Sequence, residues 1–165
     1  MKKYLFICCI ALSACGPRED KSQSNADEQT LYDSLDIAST ELSPASLYVW
    51  QVTSDQTKIH NANAAPAILH TDSILKGLNA RYENVVMIRV RQSADTLYTA
   101  IPDSKYLASQ MGSTGAEVYI ADAVLNLTSV PGVKYVNVAM EEGDHAQPGT
   151  WSAENFKNYK EVTTP

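Results

Sequence analysis

Thr114-Gly115-Ala116-Glu117-Val118-Tyr119-Ile120-Ala121-Asp122-Ala123-Val124-Leu125-Asn126-Leu127 carries the strongest structural signal in this chain. Ala116, Ile120, Ala123, Val124 and Leu127 fall on one face of a period of about 3.6 residues, which predicts an amphipathic helix. Thr114 and Glu117 have the spacing of a capping box, with the hydroxyl on a backbone N–H and the glutamate reaching back. Pro131-Gly132 stops the helix. Val133 to Met140 then reads as a strand, with Val136, Val138 and Met140 on one side.

Upstream of this unit, Glu83 to Ile101 reads as a hairpin. Val85 to Gln92 and Thr96 to Ile101 are its strands, and Ser93-Ala94-Asp95 is its turn. Strict alternation would put Val86, Ile88 and Val90 on one face, with Arg89 and Arg91 together on the other. Ile74, Leu75, Leu78 and Tyr82 have helical spacing, and Asp72 stands where a cap is expected. Leu47 to Val52 is β-branched and aromatic and reads as an opening strand; Gln56 to Ala67, rich in Asn and Ala and containing Pro66, reads as a loop with room for a short strand around Lys58 to His60. Strand, helix, hairpin, helix, strand predicts an α+β fold: a small mixed sheet with two helices packed on one face.

The start of the chain has a different character. Lys2 and Lys3 precede a short apolar run, Tyr4 to Leu12, which ends at Ser13-Ala14-Cys15. The run is shorter than the about 20 residues needed to span a bilayer. Positive charge, a short apolar core and small residues before a cysteine read as a bacterial lipoprotein signal, 1–14, with Cys15 the lipidated first residue of the mature chain. Cys8 and Cys9 would leave with the leader, so neither a disulfide framework nor a cysteine metal site is expected. Loss of Lys2 and Lys3 would take the net charge from −6 to −8. Such acidity argues against nucleic acid as a partner. Residues 15–45 are polar and read as a lipidated tether, with a short helical stripe at Leu31, Leu35 and Leu42. The folded domain is expected over 46–142, and 143–165 as a polar extension wrapping its surface.

Gly112-Ser113-Thr114-Gly115-Ala116-Glu117, then Leu127-Thr128, then Val130-Pro131-Gly132-Val133-Lys134-Tyr135-Val136 resemble the GerMN domain of sporulation and germination lipoproteins. The order of elements resembles it from Leu47 to Glu142. The resemblance implies a non-enzymatic envelope module that binds proteins or self-associates. It carries no catalytic residues and no cofactor. The segment from Glu142 to Gly149 departs from the family pattern.

Candidate site residues are few. Arg89 and Arg91 could grip a carboxylate or phosphate, although an exposed strand face explains them as well. Glu141, Glu142, Asp144 and His145 could offer oxygen ligands to a hard cation, although a solvated turn explains them more simply. His60, His70 and His145 lack the spacing of any hydrolase motif. Trp50 and Trp151 fit packing roles, with Trp151 placed to contact a partner if exposed. The expected partners are the membrane, through lipid on Cys15, and another envelope protein or a second copy. The rival reading is a lipoprotein that binds or hydrolyses envelope glycan or peptide.

Overall fold

The computed structural model describes residues 43–64 and 66–164. The leader, Cys15 and the Leu31–Leu42 stripe lie outside the described residues. The chain forms β1 (Trp50–Val52), β2 (Thr57–Asn61), α1 (Thr71–Arg81), β3 (Ile88–Ser93), β4 (Thr96–Ala100), α2 (Lys105–Ser109), α3 (Ser113–Leu127), β5 (Tyr135–Ala139), β6 (Gly149–Trp151) and β7 (Lys160–Thr164). The class is α+β, with two mixed sheets. One has the order β1-β2-β7 and the other β3-β4-β5-β6. β4 and β5 run parallel, joined by a crossover through α2 and α3.

α3 lies at the centre. Its predicted face is buried, and so are Tyr119, Ala121, Asp122, Leu125 and Asn126. A helix covered on nearly all sides is a core helix rather than a surface one. It packs on β1, α1, α2, β5 and the 3-10 turn Ala153–Phe156. The valines of β5 turn the inner sheet face toward the core: Val136, Val138 and Leu97 are all buried. Leu47 seats against Gly77 on α1, where a Cβ would lie 2.1 Å from the Leu47 carbonyl oxygen. Only a glycine lets the two backbones approach this closely.

Four local expectations are corrected. The capping box does not form: α3 begins at Ser113, with Gly112 at the cap position and no side-chain cap. Gly112 has φ +75°, so the chain turns into the helix through a left-handed residue and Glu117 is released for other contacts. Asp72 is not the cap of α1. His70 holds that position, and Asp72 sits within the first turn.

The hairpin faces are reversed. Val85 and Met87 are buried, and Val86, Ile88 and Val90 are exposed. Asn79 fixes this phase, since its side chain accepts from the Met87 N–H and donates to the Met87 carbonyl, at 2.9 and 3.0 Å. A shift of one residue exchanges every side chain between faces.

The polar segment after Glu142 is built into the sheets rather than wrapped over them. β6 extends one sheet beside β5, and β7 pairs in parallel with β2 from Thr57↔Lys160 to Asn61↔Thr164. Its exposed side chains hid it, because backbone pairing places no demand on polarity.

Candidate functional site

Two features of this fold leave chemistry unspent: the outer rim of β3 and a groove along the first turns of α3. Their meaning depends on how the rest of the backbone is satisfied, and β1 shows this most clearly. Its inner rim pairs with β2, as in the bonds from Asn61 N to Val49 O and from Thr53 N to Thr57 O, both 2.9 Å. Its outer rim meets α3. Asn126 Oδ1 accepts from the N–H groups of Val49 and Trp50, at 2.6 and 2.9 Å. Asn126 Nδ2 donates to the Trp50 carbonyl at 2.8 Å. Asp122 Oδ1 accepts from the Val52 N–H at 3.3 Å. Two side chains one helical turn apart thus stand in for a neighbouring strand.

Asp122 is fully buried. Its other oxygen meets Arg81 Nη1 at 2.5 Å and accepts from the Tyr82 hydroxyl at 2.9 Å. Burial pushes its carboxyl above the ordinary aspartate range, against the opposing pull of Arg81 and of the Tyr82 hydroxyl. Tyr82 and Tyr119 meet edge to face at 4.9 Å. Burial raises both phenols. Nothing in the sequence reading singled out Asp122 or Asn126. The available clue was a pair of polar residues at i and i+4 within the apolar stretch from Val118 to Leu127.

β3 is the opposite case. It is an edge strand with every residue exposed. Beyond Met87 its outer rim has no strand beside it among the described residues. Ile88 and Val90 are 44% and 58% exposed there, and Val86, just before the strand, is 52% exposed.

Arg89 and Arg91 do not share a face. A register shift between them pairs Arg89 with Thr99 and Arg91 with Tyr98. Thr99 is buried on the inner side, and Tyr98 lies on the outer one. A β-bulge has therefore turned the two guanidinium groups apart. Arg89 reaches Asp72 at 3.9 Å, and Arg91 stacks over the Tyr98 ring at 3.6 Å.

The acidic turn is divided as well. Glu142 and Asp144 are exposed, while the His145 N–H is docked on the Ala108 carbonyl at 2.9 Å. No group of three or more His, Cys, Asp or Glu side chains that could hold a metal occurs among the described residues. His60 packs edge-on against Trp50 at 4.7 Å, and His70 stands at the start of α1. The three histidines therefore occupy separate places.

His145 lies instead beside α3. Its Nδ1 is 3.1 Å from Ser113 Oγ. Together with Ala116, Glu117, Ile120, Gln147, Trp151 and Phe156 it lines an open groove of about 210 Å³. Glu117 Oε1 accepts from the Tyr159 hydroxyl at 2.7 Å and from Gln56 Nε2 at 3.3 Å. Burial, then the bond to Glu117, raises the Tyr159 phenol. Among the described hydrogen bonds no carboxylate backs His145, so the Ser113–His145 contact lacks the third member of a nucleophilic triad.

No helix among the described residues is long and apolar enough to cross a membrane. Comparison of the chain with protein-family models, with curated proteins and with solved structures finds no match.

Proposed function

We propose that this chain is a non-enzymatic cell-envelope lipoprotein. Lipid on Cys15 anchors it on the extracytoplasmic side, and its GerMN-like α+β domain binds another protein through the open rim of β3. The observation that carries this reading is the exposure of Ile88 and Val90 along an edge strand, with Val86 just before it, whose outer backbone groups have no strand partner among the described residues. Such a rim can accept an extended segment of another polypeptide: main-chain hydrogen bonds supply the pairing and the branched side chains a dry flank.

The rival, binding or hydrolysis of envelope glycan or peptide, draws support from the groove that seats His145 beside Glu117 and Trp151. Arg89 and Arg91 do not line that groove, so the anionic grip once expected of them is absent from it.

The test is a photo-crosslinking residue placed at position 90 of the lipidated protein in its native envelope, with position 154 as the comparison. A discrete adduct with one protein should form from position 90 and disappear in the Ile88→Lys background. A clean monomer from position 90 would refute the proposal.

A further inference from the structure

We propose that the groove beside the first turns of α3 binds the side chain of a lysine presented by a partner polypeptide. This stands apart from the β3 reading, because Trp151 belongs to β6, at the other edge of the four-stranded sheet.

Four observations meet in the groove. The first is a held carboxylate. Tyr159 and Gln56 both donate to Glu117 Oε1, which fixes the side chain and leaves Oε2 without a hydrogen bond among the described residues. The second is an aromatic wall made by Trp151 and Phe156. Phe156 is braced edge to face by Tyr159 at 5.4 Å, and the Trp151 ring packs so closely on Gly149 that a Cβ there would come within 2.6 Å of it. Ring faces attract cations, and most strongly when water is excluded. The third is the apolar floor of Ala116 and Ile120, which suits a methylene chain.

The fourth is size and charge. A volume of about 210 Å³ is below the roughly 300–1,000 Å³ typical of small-molecule sites. No Lys or Arg lines the groove, and His145 is the basic side chain in its lining. The Glu117 charge and the net charge of −6 both disfavour an anion. A long apolar stem ending in an ammonium group matches floor, wall and carboxylate together.

The test uses the full chain in detergent micelles, labelled with ¹⁵N. The indole N–H signals of Trp50 and Trp151 are followed during titration with N-acetyl-lysine methylamide, with its norleucine counterpart, and with N-acetylglucosamine. The lysine compound should move the Trp151 signal to saturation in the millimolar range, while Trp50 stays still. Norleucine, which keeps the stem and lacks the charge, should bind about tenfold more weakly. Glu117→Gln keeps an oxygen for the Tyr159 hydroxyl, so its fold should survive, and its lysine affinity should fall by about the same factor. Glu83→Gln, which changes the net charge equally but lies outside the groove, should bind as the parent does. Equal binding of lysine and norleucine by the parent protein would overturn the proposal, without recourse to any variant. So would a Trp151 signal that lysine does not move, or undiminished lysine binding by Glu117→Gln. Saturable movement by N-acetylglucosamine alone would reassign the groove to a glycan.

Discussion

The outer rim of β1 is closed by side chains of α3, whereas the outer rim of β3 is left open beyond Met87. The difference lies in what surrounds each rim. Val49 and Val52 are buried against the core helix, where water cannot serve their backbone groups. A buried N–H or carbonyl without a partner costs roughly 1–3 kcal/mol, so the fold places Asn126 and Asp122 there. The rim of β3 is wet, and water satisfies it. What water holds weakly, a partner strand can take over. The same polar backbone is therefore a structural obligation at one rim and a binding opportunity at the other.

The closed rim should give the largest effect. Asn126→Ala leaves the N–H groups of Val49 and Trp50 and the Trp50 carbonyl unpaired at once. Denaturant unfolding should show a loss of about 3 kcal/mol or more. A loss under about 1 kcal/mol would mean that the side-chain clamp is incidental.

A smaller effect is expected at Asp122, and it depends on pH. Its folded pKa is raised above the ordinary value of 3.8 by burial. Between those two values the folded protein keeps a proton that the unfolded chain has released. The contribution of this group to stability therefore falls as pH rises through that window and is level above it. Asp122→Asn should remove that fall. Comparison of unfolding free energies of parent and variant at several pH values checks this, and a difference between them that does not vary with pH would contradict it.

The open rim should give the smallest change in stability. Val90→Lys lies on a solvated bulge and should alter the unfolding free energy by no more than about 0.5 kcal/mol. With the photo-crosslinking residue moved to position 88, the same change should still abolish crosslinking of a partner to the rim. A loss of 2 kcal/mol or more would mark Val90 as part of the core and erase the contrast between the two rims.

The hairpin shows how far the sequence could be followed. Its strands and turn were legible because Val, Ile and Thr alternate around Ser93-Ala94-Asp95. Its facing was not, because Val85 and Met87 form an equally apolar alternative phase, and the choice was made by Asn79 from a different element. The bulge between Arg89 and Arg91 had no local signature either. Glu117 was visible as a polar residue in the first turn of an apolar helix. Its real partners, Tyr159 and Gln56, are 42 and 61 residues away. Of the candidate residues, His145 was brought into a groove, while Glu142 and Asp144 stayed in solvent.

By itself the sequence determined the α+β class and the presence and apolar face of the core helix, because periodicity acts over a few residues. Only the tertiary structure decided which rim is closed, which face of β3 meets the core, and that Lys160–Thr164 completes the sheet beside β2. Those outcomes rest on hydrogen bonds between distant segments, such as Asn126 to Trp50 across 76 residues. A backbone group carries no mark in the sequence of which partner it will find.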